Sequence, residues 1–307
     1  EATNVILGST KAYAQDSKLT SAAALDVDAL NVSDISADIA GVAIAVGAGD
    51  TGVGVSIGAA VANNYIGRDE DGNRDPLQVE AYLKDSSASV TGALTIDAST
   101  IDPADSNRYL KVDAGVGAGS LAIAAGKTGV ALAGAGVGAE NRISADVKAY
   151  IDGDTVGSNA GLQTTETGIT AASFAITAKD QSKITADVAA VSVAGAFSGT
   201  SVSASISASI ADNAIDNNIE SYILDASDIN ATTGDVTVQA SDNSTVEANT
   251  IGVAAALSFG KVGVALSGAG ANGTNWIENK VKAYIDGSDV DTTTGSIVVD
   301  ADNSSSI

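Results

Sequence analysis

Apolar and polar positions alternate along most of this chain, with the period of two that a half-buried strand requires. Val42-Ala43-Ile44-Ala45-Val46 runs through a glycine turn to Val53-Gly54-Val55-Ser56-Ile57. Val191-Ser192-Val193 leads in the same way to Val202-Ser203-Ala204-Ser205-Ile206, and Val253 to Leu257 leads to Val262-Gly263-Val264-Ala265-Leu266. A second kind of run ends in alanine: Leu25 to Ala29, Leu94 to Ala98, Phe174 to Ala178, Val236 to Ala240 and Ile297 to Ala301. An apolar residue returns six positions after that alanine at Ile35, Ile184, Val246 and Ile307. No stretch carries a convincing helical period. Leu121 to Ala133 is rich in alanine, but its alternation predicts strand.

These runs hang between copies of one block, Asn-x-Ile, a spacer, then an apolar residue, a small residue and Tyr. The asparagines are Asn4, Asn64, Asn141, Asn213 and Asn275, and the tyrosines Tyr13, Tyr82, Tyr150, Tyr222 and Tyr284. Val53, Val130, Val202 and Val264 each stand eleven positions before their asparagine. The chain is thus a repeat array with units 1–63, 64–140, 141–212, 213–274 and a partial 275–307, and an acidic insertion at 67–75 in the second. Short strands, regular turns and no helical period predict an all-β fold, a right-handed parallel β-solenoid (β-helix). The alternative is a stack of antiparallel β-hairpin repeats, in which the two Val-rich runs of each unit pair with one another. With three coils to a repeat, each coil would hold about 23 residues and the rod would be on the order of 60–65 Å long. The asparagines would then sit at coil corners and bond backbone groups of the neighbouring coils. The tyrosines would cap an apolar layer with the hydroxyl at the surface. The chain opens and closes inside a repeat, so a longer array, or end-to-end stacking of copies, is expected.

Composition narrows the function. Fifteen basic and thirty-eight acidic residues give a net charge of −23, which argues against nucleic acid and anionic membrane surfaces as partners. There is no cysteine, histidine or methionine, so thiolate chemistry, disulfides and the commonest general base are excluded. No apolar run is long enough for a membrane-spanning helix. Carboxylates abound without a segment that reads as a pocket wall, and an enzyme is not expected; the alternative is a glycan-binding or glycan-processing β-helix with carboxylates on one face. Asn31, Asn230, Asn243, Asn272 and Asn303 head Asn-x-Ser/Thr sequons, which matter only in a glycosylating route.

Three motifs carry candidate chemistry. Gly47-Ala48-Gly49-Asp50-Thr51-Gly52 matches a dinucleotide fingerprint, but a strand follows it where a helix is needed, so it reads as a turn. Gly126-Lys127-Thr128 resembles the end of a phosphate-binding loop whose first glycine is missing, since Leu121 stands there. The insertion is the stronger candidate. Asp69, Asp71, Asn73 and Asp75 place oxygen ligands at alternate positions, the spacing by which loops wrap Ca2+, although the glycine falls at position four and no glutamate stands at twelve. No other cofactor is expected.

The repeat itself, Asn-x-Ile…Ala-Tyr-Ile-Asp-Gly-Ser-x-Val followed by Thr-Gly-x-Ile/Val-x-Val-x-Ala, resembles the very long β-strand-repeat exoproteins of bacteria, similar to filamentous-haemagglutinin-type adhesins. Asn279 to Ala301 carries the resemblance best and Asn217 to Ala240 next. It implies a secreted or surface-displayed rod with adhesive, matrix or filament roles. The implied partners are further copies of itself, cell-surface glycans or matrix, and no catalytic residues come with it. The Gly-Gly-x-Gly-x-Asp nonapeptides of calcium-loaded repeats are absent from this sequence.

Overall fold

The computed structural model describes residues 1–157 and 166–307. Strand accounts for 80% of the chain, and no helix occurs among the described residues. The molecule is a parallel β-solenoid. Three of its sheets enclose the main core. The first stacks Ser9–Gln15, Leu77–Lys84, Ala145–Asp152, Asn218–Leu224 and Lys280–Asp286. The second stacks Lys18–Ser21, Ser87–Val90, Ile169–Ala171, Ile229–Ala231 and Val290–Thr292, and the third Leu25–Leu30, Leu94–Ser99, Phe174–Asp180, Val236–Asp242 and Ile297–Asn303. All of these strand pairs are parallel.

One repeat makes one coil. Tyr13 pairs in register with Tyr82, Tyr82 with Tyr150, Tyr150 with Tyr222 and Tyr222 with Tyr284. This corrects the expectation of three coils per repeat. Five rungs spaced about 4.8 Å apart make a stack about 24 Å tall, not 60–65 Å. The physical reason lies in the repeat's sequence identity: like residues gain most by lying directly over one another, and only a full-repeat coil puts them there.

The core follows the alternation. In Leu77–Lys84, Leu77, Val79, Ala81 and Leu83 are buried while the intervening side chains face out. Together with Ile96, Leu110, Ile143, Phe174 and Ile176 they form one continuous cluster. Each coil turns one corner at the same register position, in the left-handed region: Asp16 (φ 48°), Asp85 (φ 46°), Gly153 (φ 75°), Asp225 (φ 50°) and Gly287 (φ 58°). Aspartate and glycine are the residues that reach that conformation at least cost.

The fourth sheet is unlike the others. Its segments are Asp34–Ile66, Asp105–Ile143, Ser182–Ile215 and Thr245–Phe259 with Val262–Ile277, plus Ala2–Ile6. Each long segment leaves the core, runs outward, turns, and returns to it. The two legs do not form a hydrogen-bonded hairpin, which decides against antiparallel repeats. Val53 pairs with Val130, Val130 with Val202 and Val202 with Val264, all parallel. Each leg bonds its counterpart in the next coil, and the two legs lie face to face as a thin two-layered fin. Leu121 to Ala133 is strand throughout, as the alternation predicts.

The fin's interior is closed by small residues. A Cβ on Gly41 would lie 2.2 Å from the Ala59 carbonyl oxygen, and one on Gly47 would lie 2.1 Å from that of Val53. The layers therefore touch backbone to backbone, closer than the ~10 Å of ordinary sheet packing. Alanines such as Ala122, Ala131 and Ala194 fill the outer part of this interior. Ser192 and Ser205 bond across it at 2.7 Å.

Candidate functional site

The five asparagines form a side-chain ladder down one line of the fourth sheet. Asn4 donates to Asn64, Asn64 to Asn141 and Asn141 to Asn213 at 2.8 Å each, and Asn213 donates to Asn275 at 2.9 Å. Asn64, Asn141 and Asn213 are fully buried. The expectation that these amides bond the backbone of neighbouring coils is thus corrected: with one coil per repeat, each amide's nearest donor and acceptor are those of the next asparagine. The tyrosines are also placed differently. They do not cap the core but stack on the outer face of the first sheet, with ring centroids 4.7–4.9 Å apart and nearly parallel planes. Burial within the stack, the largest cause, raises the Tyr150 and Tyr222 hydroxyls above their ordinary value.

The acidic insertion is a strap along the rod. Asp69 Oδ1 accepts from the Asp71 and Asn73 amides at 3.0 and 2.8 Å, and Oδ2 accepts from Asn73 Nδ2 at 2.9 Å. Those bonds hold the Asp69 carboxyl below its usual range. Arg74 reaches Asp146 at 2.9 Å and Asp216 at 3.2 Å, and Arg68 reaches Asp216 at 3.0 Å, so the loop clamps across two neighbouring coils. Asp69 and Asn73 are thus turned towards each other, and a cation shared with Asp71 and Asp75 would need Asn73 to rotate away. Among the described residues no three His, Cys, Asp or Glu side chains are grouped to hold a metal.

A buried polar corner escaped the sequence reading. Asp180 is enclosed between the third and first sheets, where it accepts from Thr100 Oγ1 (2.7 Å), Ser182 Oγ (3.1 Å), Asn217 Nδ2 (2.8 Å) and Ser244 Oγ (3.1 Å). Asp242, one rung on, accepts from Ser244 Oγ (2.6 Å) and Asn279 Nδ2 (2.8 Å). Burial first, then the charge of Asp242, pushes the Asp180 carboxyl up to about 7. The signal was the Asp-x-Ser turn after Ala178 and Ala240, which reads as plain turn chemistry until the register lines the two aspartates up.

Two surfaces face outward. Beside the asparagine ladder a groove of about 470 Å3 is lined by Arg142, Asp212, Ala214, Thr274, Trp276 and Glu278. Arg142, Ala214 and Trp276 are successive rungs of one column, so the groove is a gap floored by Ala214 between a guanidinium and an indole. Asp212 holds that guanidinium with two bonds, at 3.1 and 2.7 Å. The second surface is the fin. Its inward positions are small and its outward ones are branched and apolar: Val42, Ile44 and Val46 on one face, Val55, Ile57 and Ile206 on the other are all exposed. Ile57 and Ile206 are 75% and 67% exposed. Across residues 39–62, 116–139, 188–211 and 250–273 the only charged side chains are Asp50, Lys127 and Lys261, all at the tip turns.

No protein-family model, curated protein or solved structure matches this chain.

Proposed function

We propose that the chain is a structural and adhesive rod segment of a long extracellular bacterial repeat protein, displayed at the cell surface or in a matrix or fibre, and not an enzyme. The observation that carries this reading is the in-register ladder. Asparagine over asparagine and tyrosine over tyrosine through all five coils make each coil the template for another like it, which is the demand of a fibre and not of a catalytic pocket. The charge on the core keeps rods soluble, while the fin offers an uncharged face for contact. Labelling intact and lysed source cells with an antibody against residues 1–307 tests display: signal and protease sensitivity on intact cells are expected, and signal only after lysis overturns it.

A second reading, glycan binding, draws on the groove. An indole facing a guanidinium across an alanine floor, rimmed by Asp212 and Glu278, suits the flat face and hydroxyl donors of a sugar ring. Trp276 is the only tryptophan, so its fluorescence reports this groove alone. Titration with soluble hexose and N-acetylhexosamine oligosaccharides should shift it in the native chain and not in Ala214→Leu, where the gap is filled without a second indole.

A further inference from the structure

The fin's glycines fall into two classes. Those facing inward have a reason within the chain: a Cβ on Gly41, Gly47, Gly54 or Gly58 would lie within 2.5 Å of a carbonyl oxygen of the opposite layer. Those facing outward on the returning leg have none. At Gly134 and Gly138 a Cβ would meet only a side-chain carbon at 3.9 Å, and at Gly136, Gly268 and Gly270 it would meet nothing within 4 Å. None of these five has the positive φ that favours glycine. A glycine inside a strand weakens it and commonly marks a place where another surface comes close. The approaching surface must come from outside the chain.

We infer that the returning-leg face of the fin is a pairing surface for the same face of a second copy, packed antiparallel about a two-fold axis along the strands. Three observations choose that occupant. The first is shape. One outward row reads Ile57, Gly134, Ile206, Gly268 from coil to coil, a knob followed by a hollow, twice. The two-fold reverses coil order and keeps each row opposite itself. Coil one then faces coil four, and coil two faces coil three, so Ile57 meets Gly268 and Ile206 meets Gly134. The same operation sets Ile210 against Gly138 and Leu132 against Ala204. An isologous contact of this kind demands self-complementarity, and the Ile57 row has it at all four coils, while in the Leu132 row the outermost pair sets Val55 against Leu266.

The second observation is charge. A molecule of net charge −23 repels its copies, yet the fin carries charge only at its tip turns. Pairing through fins keeps the acidic cores apart, and screening by salt favours it. The third is size. Five outward positions along the strand and four coils across span on the order of 30 by 19 Å, or roughly 600 Å2 per copy. Two such faces reach about 1,200 Å2, the lower end of specific interfaces, which makes a reversible dimer the expected species. The inference stands on fin geometry and does not depend on where the rod is displayed.

Sedimentation velocity of the whole chain from 1 to 200 μM, in 0.15 and 1 M NaCl, tests it. The expected result is a reversible monomer–dimer equilibrium, at least as strong at high salt. Two double variants attack opposite sides of the fit. Ile57→Lys with Ile206→Lys removes the knobs, and Gly134→Ile with Gly268→Ile fills the hollows where the chain itself has room. Each should weaken dimerisation at least tenfold with the circular dichroism spectrum unchanged. The chain has no cysteine, so orientation is read by cross-linking. A short bismaleimide should join Ala59→Cys to Gly270→Cys in a mixture, and neither variant to itself, because these outward positions of one row lie on coils one and four. A wild-type chain that stays monomeric at 200 μM in 1 M salt overturns the inference, including when it is recovered on neutral phosphatidylcholine vesicles instead. So does a dimer that survives filling of the hollows, or Ala59→Cys cross-linking to itself.

Discussion

Asn64 donates its side-chain amide to Asn141 at 2.8 Å, although 77 residues separate them and both are fully buried. Because Asn141 passes the same bond on to Asn213, each amide is donor to one neighbour and acceptor from another, and the ladder is satisfied only as a whole.

Removing one rung should therefore cost more than one bond. Asn141→Ala leaves the Asn64 donor and the Asn213 acceptor buried without partners. A loss of about 2–4 kcal/mol in unfolding free energy is expected from urea denaturation. A change below 0.5 kcal/mol, the size typical of surface positions, would mean the ladder contributes little.

The two classes of fin glycine should respond oppositely to the same substitution. A Cβ on Gly58 would lie 2.4 Å from the Gly119 carbonyl oxygen, so Gly58→Val should destabilise by about 3 kcal/mol or more, or prevent folding. Gly134→Val, with 3.9 Å of clearance, should be neutral or stabilising because valine favours strand. Equal melting-temperature losses for the two would refute the assignment of inner and outer faces.

Ser201, Ser203, Ser205, Ser207 and Ser209 form a buried stripe inside the fin, and some of its hydroxyls have no partner. Ser203, Ser207 and Ser209 have Oγ atoms that make no hydrogen bond. Ser207→Ala removes a desolvated group and adds no volume, so a gain of about 1 kcal/mol is expected in thermal or urea unfolding. A loss of similar size would show that the hydroxyl has a partner in solution.

Asp180 sets a pH dependence. Its ordinary value is 3.8, and in the fold it is pushed up to about 7. Between those values the folded chain keeps a proton that the unfolded chain has released. Its contribution to stability is thus fully present below about pH 4 and is lost as pH rises through 7. Urea midpoints at pH 4.5 and 8 should differ in the wild type, with the lower value at pH 8, and the difference should shrink in Asp180→Asn. The same difference in both proteins would place the titration elsewhere.

Much of the fold is legible in the sequence, and the residues show where legibility stops. Strands and repeat boundaries follow from the period-two alternation and the recurring Asn and Tyr, because both reflect local geometry and like-on-like packing. The number of coils per repeat does not follow, since a 69-residue spacing between Tyr13 and Tyr82 divides into three short coils as readily as it makes one long one. What decides it is the fin, and the fin is concealed by its inverted pattern. Its small residues, such as Gly41 and Ala122, face inward, and its branched ones, such as Ile57, face solvent. A reading that assigns large apolar residues to a core places these legs inside. The buried Asp180 was missed for a related reason: only the register reveals that Thr100, Asp180 and Asp242 occupy one line.

Each repeat is one coil, stacked parallel and in register on the next. Ala175 and Thr237 are partners in adjacent coils of the third sheet, both half-exposed. In the cysteine-free chain, Ala175→Cys with Thr237→Cys places two thiols on neighbouring strands about 4.8 Å apart, within reach of a disulfide. Mild oxidation of the monomer should close that bond nearly completely, detected as loss of both free thiols while the chain still runs as a monomer on non-reducing gels. Thiols that stay free in a folded monomer would contradict the account, because three short coils per repeat hold these positions about 14 Å apart, beyond any disulfide.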